Sequence, residues 1–286
     1  MRSSLVRVRG VLRLLHGFPS ALAGLITGVL AAIAGGDPAA AVRLGLAMFL
    51  LQCSIGALND LADAPVDQET QPDKPIPRGE VTRREASVVT GACLVGGLVL
   101  AALSGPSVLL VALLGVGCGY AYDLWLKGTA LSWLAWSAGL PLLPLFAWLG
   151  AGRAVSGGLV LLMGLAAVAG LALALANGLA DYEADARGGV ASPVVRLGPT
   201  VAWRLIATLE VVLVVVGLSS IALLAAEQAG ASLILVGLGI ALVMAGVGLS
   251  ARARPETRER GWELQAAGVG LLAAGWVAAM VMASVL

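Results

Sequence analysis

Long apolar runs dominate the chain, and short clusters of glycine, proline and charged residues separate them. Each run is long enough to cross a membrane as a helix, which takes about 20 mostly apolar residues. The runs lack the alternation of a membrane barrel, and in lipid only helices or closed barrels satisfy the backbone. The pattern therefore predicts an all-α chain with nine spanning helices, at about 18–35, 39–62, 85–104, 106–122, 130–149, 156–181, 200–226, 230–250 and 262–285.

Composition supports the same class of protein. Of 286 residues, 59% are hydrophobic and only 12% are charged, whereas a soluble domain carries roughly 25% charge. We therefore interpret the chain as a polytopic integral membrane protein. Its three cysteines lie inside apolar runs and it has one histidine, so no disulfide framework, zinc motif or multi-histidine metal site is expected.

The basic residues indicate the orientation in the membrane. The N-terminal tail and the loops after helices 2, 4, 6 and 8 hold 16 of the 18 lysines and arginines, and only Arg43 and Arg153 lie on the other side. Cytosolic loops carry this excess of positive charge. The sequence thus predicts a cytosolic N-terminus and an external C-terminus, in what we expect to be a prokaryotic cell membrane.

One polar phrase occurs twice, each time at the end of an apolar run. Residues 59–67 and 177–185 both read N-x-L-A-D-x-x-x-D. Helices 2 and 6 run in the same direction, so both phrases fall at the cytosolic ends of equivalent helices. We predict a single domain over residues 1–286, in which helices 1–4 and 5–8 form an internal repeat and the ninth helix stands alone.

The spacing within each phrase places its polar side chains together. Positions i, i+4 and i+8 share one helical face, so Asn177, Asp181 and Asp185 are expected to form one stripe. The first phrase forms a similar stripe, although Pro65 is expected to kink or end its helix and leave Asp67 at the start of a loop. Two facing sets of carboxylates suit Mg²⁺, which prefers a few carboxylates together with substrate phosphates.

At these residues the sequence resembles the UbiA superfamily of intramembrane prenyltransferases. Its first motif, N-D-x-x-D-x-x-x-D, is followed by a stretch similar to residues 74–79, which read K-P-I-P-R-G here. A cytosolic Tyr and Lys after the fourth helix correspond to Tyr122 and Lys127. The second motif is matched by Asp181, Asp185 and Gly189. Ala186 stands where the family usually has Asp before Arg187.

The resemblance implies a helical barrel around a cytosol-facing cavity. It also implies a Mg²⁺-dependent enzyme that acts on an isoprenoid diphosphate and a small acceptor within membrane lipid, with no nucleic-acid partner. The implied catalytic and metal-binding residues are Asp60, Asp63, Asp67, Asp181 and Asp185. The implied substrate-binding residues are Asn59, Lys74, Arg78, Tyr122, Lys127, Asn177 and Tyr182.

Three functions fit the residues. The leading one is transfer of a polyprenyl group, through an allylic carbocation, to an aromatic quinone precursor or a glycerol-phosphate lipid. An intramembrane terpene cyclase would use the same acidic motifs without an acceptor. A cation or solute transporter is a third class, but transporters place their acids near the membrane midplane, whereas most acids here lie at cytosolic helix ends.

A few polar and aromatic residues lie outside these motifs. Gln52 is placed either to face the same cavity as Asn59 or to form a hydrogen bond between helices. Glu210 lies two turns inside helix 7, where an acid is a functional candidate by default, although Arg204 offers a structural partner. Most tryptophans are expected to anchor helix ends at the membrane interface: Trp125, Trp133, Trp136, Trp148, Trp203 and Trp262. Some of the first three are also candidates to line the cavity.

Overall fold

A computed structural model describes residues 4–227 and 229–286, and every regular element in that part of the chain is helical. The helices are α1 (Ser4–Leu14), α2 (Gly17–Ile33), α3 (Pro38–Thr70), α4 (Arg83–Ala102), α5 (Pro106–Ala121), α6 (Ser132–Gly139), α7 (Leu142–Gly150), α8 (Gly157–Ala180), α9 (Tyr182–Arg187), α10 (Pro193–Leu197), α11 (Pro199–Leu224), α12 (Ser232–Ser250) and α13 (Pro255–Met282). A π-helical turn, Tyr122–Leu126, extends α5.

The number of predicted spans is confirmed. Within the described residues, eight segments are long and apolar enough to cross a membrane, and the bent pair α1–α2 supplies a ninth. This pair bends by 57° at His16, whose φ of 48° is left-handed. The fifth span is divided into α6 and α7 just before Pro141, a residue that has no backbone N–H to donate within a helix.

Small residues let several of the helices pack backbone to backbone. A side chain at Gly239 of α12 would lie 2.8 Å from the carbonyl oxygen of Gly268 in α13, and one at Gly24 of α2 would lie 2.8 Å from that of Gly45 in α3. Such contacts are typical of membrane helices. These glycines therefore allow the close helix packing.

The spanning helices surround a central cavity of about 560 Å³. Side chains from α2, α3, α5–α8 and α11–α13 line it. The largest apolar core cluster packs around its deep end and includes Phe146, Leu159 and Met280. The predicted helical barrel is therefore present, and the ends of α3 and α8 bring both acidic phrases to its mouth.

Candidate active site

The first acidic phrase lies entirely on α3. The helix continues through Pro65 to Thr70. Of the two predicted effects of Pro65, a kink or an end, the end is therefore wrong, and Asp67 lies on the helix and not at the start of a loop. Asp60, Asp63 and Asp67 recur at helical spacing and therefore share one face. Asp60 and Asp67 are each only 3% exposed.

Lys74 lies at the centre of these three carboxylates. Its Nζ is 2.9 Å from Asp67 Oδ2, 3.2 Å from Asp60 Oδ1 and 4.0 Å from Asp63 Oδ2. A tight turn after α3 presents it, in which Lys74 N donates to Gln71 O at 3.1 Å. His16 Nε2 also lies 3.2 Å from Asp60 Oδ1, a contact that the bend between α1 and α2 makes possible.

A second cation, Lys127, follows the π-helical turn. Its Nζ pairs with Asp63 Oδ2 and donates to Asn59 Oδ1 at 3.2 Å. Asn59 Nδ2 in turn donates to Asp123 Oδ1 at 2.8 Å. Asp123, 7% exposed, therefore fixes the orientation of Asn59, so that its carbonyl oxygen faces the lysine.

The second acidic phrase is not one continuous helix, contrary to expectation. Helix α8 ends at Ala180, Asp181 caps it with φ −88° and ψ 1°, and α9 follows. Backbone bonds from Asp181 N to Asn177 O and from Asp185 N to Asp181 O, 3.3 and 2.9 Å, nevertheless keep the one-turn spacing. Asn177 and Asp181 line the cavity mouth.

The second set of carboxylates is electrostatically unfavourable on its own. Burial raises the pKa of Asp181 to about 6, and the nearby Asp185 carboxylate adds to this increase. Burial also raises the pKa of Asp185. An added cation would reverse both effects, because it favours the ionised carboxylates.

The donor set fits a hard divalent cation. In the described part of the chain, no group of three or more His, Cys, Asp or Glu side chains is already arranged to hold a metal ion. Asp60 Oδ1 and Asp67 Oδ2 are, however, buried without a hydrogen-bond partner. Both oxygens form ion pairs with Lys74, and Asp60 Oδ1 also lies against His16. The carboxylates have further lone pairs that could bind a cation.

Two predicted substrate-binding residues lie away from this cluster. Arg78 pairs with Asp73 at 3.2 Å and with Glu80 at 3.4 Å. Tyr182 packs against the apolar cluster that contains Leu179 and Val247. The remaining predicted site residues, including Tyr122, Lys74 and Lys127, gather at the mouth.

Four aromatic rings form a collar below the carboxylates. Ring centroids are 6.0 Å apart for Tyr122–Trp136, 6.4 Å for Trp136–Trp262 and 6.2 Å for Trp262–Phe18, and each pair is edge-to-face. All four rings line the cavity, as does Gln52. Trp262 therefore belongs to the cavity, although the sequence predicted an interface anchor.

Two further expectations are also corrected. Trp148 is 2% exposed and packs in the core, so it is not an interface anchor. Glu210 is 1% exposed and neither of its carboxylate oxygens has a hydrogen-bond partner among the described residues. Arg204 is thus not the structural partner that the sequence suggested.

The comparison with known proteins decides the family. The model of the UbiA prenyltransferase family matches residues 18–268. The chain belongs to this family. Its relatives include digeranylgeranylglyceryl phosphate synthase of Methanopyrus kandleri, 31% identical over 218 residues, which are 73% of this chain and 77% of the relative. The synthase of the same name from Natronomonas pharaonis is 30% identical over 67% of this chain and 70% of the relative.

Solved UbiA homologues share the fold. The apo homologue from Aeropyrum pernix K1 superimposes with a TM-score of 0.73 at 18% identity, over 90% of this chain and 96% of that one. A homologue from Archaeoglobus fulgidus bound to GPP and Mg²⁺ gives 0.70 at 19% identity, over 96% and 99%. The UbiA architecture is therefore present over almost the whole chain.

Proposed function

We propose that this UbiA-family chain transfers a polyprenyl group from an isoprenoid diphosphate to a small acceptor, in a Mg²⁺-dependent reaction. One arrangement carries the proposal: two sets of carboxylates and two lysines lie at the mouth of a deep apolar cavity. A cation-bound diphosphate fits the mouth, and a hydrocarbon tail fits the interior.

The carboxylates of the two sets are the proposed metal ligands. Asp60, Asp63 and Asp67 on one side and Asp181 and Asp185 on the other would hold Mg²⁺, which neutralises negative charge on the diphosphate oxygens.

Lys74 and Lys127 lie between these sets and would bind the oxygens that the metal leaves uncovered. Charge that develops on the departing diphosphate is stabilised where it forms. The allylic carbocation that remains lies at the aromatic collar, whose ring faces attract cations, and the apolar walls exclude the water that would otherwise capture it.

We propose a glycerol-phosphate lipid as the first acceptor to test. The relatives are named for the synthesis of digeranylgeranylglyceryl phosphate, a lipid of this class. An aromatic quinone precursor is the second acceptor, since the aromatic collar also suits a planar ring. We further propose that the mouth faces the cytosol, because the loops that carry Lys74, Lys127 and Arg196 hold the excess positive charge.

The test is diphosphate release by the purified protein in lipid vesicles with Mg²⁺ and geranylgeranyl diphosphate. Release that requires one acceptor, with the prenylated acceptor recovered, establishes the transferase. Release without an acceptor and recovery of a cyclised hydrocarbon would establish the terpene cyclase instead. If no pairing releases diphosphate and none binds, the proposed function is wrong.

Asparagine substitutions at the two carboxylate sets test the site itself. We expect Asp63→Asn and Asp181→Asn each to lower kcat/KM at least about 100-fold, because each removes charge that holds the cation. The matched control is Glu69→Gln, which changes an exposed acid on the same helix as Asp63. Its kcat/KM should stay within about twofold of the wild-type value. Near-normal turnover in either asparagine variant would contradict the two-set site.

A further inference from the structure

The depth of the cavity follows from the spacing of its lining residues along two helices. Trp262 and Trp276 of α13 both line it, and their fourteen-residue separation corresponds to about 21 Å of helix. On α8, Leu162 and Asn177 both line it as well, fifteen residues or about 22 Å apart. Two independent helices thus give the same depth, roughly two thirds of a ~30 Å hydrocarbon core.

On α13, the residues that line the cavity between Trp262 and Trp276 are Ala266, Val269, Gly270, Leu272 and Ala273. The side chain of Ile26 packs against Gly270, whereas the small side chains of Ala266 and Ala273 leave space for a ligand. The two indoles therefore mark the entrance and the far end of this space.

The indole at the far end is held in place. Trp276 Nε1 donates to Ser220 Oγ at 2.7 Å, and Ser220 Oγ donates to the carbonyl of Gly217 at 2.8 Å. The ring is 4% exposed and packs in the core cluster with Phe146 and Ile221. Met280, one turn further along α13, is 0% exposed and closes the space behind it.

We propose that Trp276, positioned by Ser220, sets the longest prenyl chain that the cavity accepts. This inference rests on the proposed prenyl transfer. An extended prenyl chain advances by about 5 Å per five-carbon unit, given carbon–carbon bonds of about 1.5 Å. Four units need about 20 Å, so a C20 chain fits between the collar and the Trp276 indole. A C25 chain is about 5 Å longer and would collide with the indole.

The experiment compares C10, C15, C20 and C25 prenyl diphosphates within each protein preparation. We expect the wild type to use C25 at least about tenfold less well than C20. Trp276→Leu deepens the cavity and should raise the C25 to C20 ratio of kcat/KM about tenfold. Ala273→Phe fills the cavity one turn nearer the mouth and should lower the C20 to C15 ratio by a similar factor.

Two further variants separate chain-length selection from general damage. Trp148→Leu is the matched control, since Trp148 is 2% exposed and its indole donates to Ala154 O at 2.9 Å; its ratios should stay within about twofold of the wild type. Ser220→Ala keeps the Trp276 indole but removes the hydroxyl that accepts its hydrogen bond. The C25 to C20 ratio of kcat/KM should therefore rise, but less than in Trp276→Leu. Each ratio is taken within one preparation and does not depend on the folded fraction.

Equilibrium binding of the same four compounds, with Mg²⁺ and no acceptor, distinguishes the two proposals. A binding preference that shifts with Trp276→Leu, together with no diphosphate release for any acceptor in the turnover assay, would support the cavity limit and contradict the transferase. Turnover with unchanged ratios in both Trp276→Leu and Ala273→Phe would overturn the cavity limit, because the chain would then leave between helices. If neither binding nor release depends on chain length in the wild type, the inference is wrong.

Discussion

Lys74 shows how single residues keep the metal-free site folded. Its ammonium group contacts Asp60 and Asp67, which are buried, and lies near Asp63. Three carboxylates this close repel one another, and an internal counter-charge offsets that repulsion. The same lysine therefore offsets the repulsion in the metal-free protein and, under the proposed function, would bind the diphosphate once the cation is present.

We expect Lys74→Met to destabilise the metal-free protein by roughly 3 kcal/mol, the low end for removing one partner of a buried ion pair. Added Mg²⁺ should restore more stability to the variant than to the wild type, because it replaces the missing charge. Thermal unfolding with and without Mg²⁺ measures this difference. Arg204→Gln removes an exposed cation as a control, and an equal Mg²⁺ response in all three proteins would contradict the prediction.

The sequence predicted the acidic residues but not all of their partners. The repeated phrase identified four of the five aspartates because it pairs a fixed spacing with an apolar run, where carboxylates are otherwise rare; the family motif N-D-x-x-D added Asp60. The contacts of His16 and Asp123 depend on the bend after α1 and on the π-helical turn after α5. Neither the bend nor the π-helical turn produces a periodic pattern in the sequence, so the sequence did not predict either of them.

At the scale of helices, the ends of α3 and α8 differ although their sequences are similar. Helix α3 continues past Pro65, whereas α8 stops at Ala180 and restarts as α9. Hydrophobic periodicity locates the middle of a helix and says little about its last turn. In α8 the end is fixed from outside, because Arg258 of α13 donates to Leu179 O at 3.3 Å and to Glu183 Oε1 at 2.7 Å.

We expect Arg258→Gln to raise the Mg²⁺ concentration needed for half-maximal activity by about 10-fold or more, as is typical for groups that position metal ligands. Arg258 touches neither Asp181 nor Asp185, and it acts by holding the turn between α8 and α9. Arg258→Lys should recover part of the affinity. The chain-length ratios should not change, and an unaltered Mg²⁺ dependence would show that the turn holds its shape without the arginine.

At the scale of the whole molecule, the apolar runs were sufficient to count the spans and to place most of them within a few residues. They did not predict the cavity, because its walls depend on which face of each helix turns inward, and helices that are apolar all round carry little such information. The aromatic collar illustrates this limit, since Trp262 is indistinguishable in sequence from an interface anchor. The internal repeat stays a prediction.

The membrane orientation is testable by labelling. In a variant without Cys53, Cys93 and Cys118, we place a single cysteine at Asp73, beside the mouth, or at Val155, in the opposite loop; both residues are exposed. A membrane-impermeant maleimide should label Val155→Cys in intact cells and Asp73→Cys only after permeabilisation. The reverse pattern would place the mouth outside.

The closed far end of the cavity has a consequence for membrane asymmetry. Trp276, Phe146 and Met280 seal that end, so a hydrocarbon chain drawn into the barrel has no path to the opposite surface. Under the proposed function, substrate would enter from the leaflet at the mouth, and the prenylated lipid would return to the same leaflet. Its appearance in the other leaflet therefore requires a separate translocation step, and synthesis by this protein alone enriches a single monolayer.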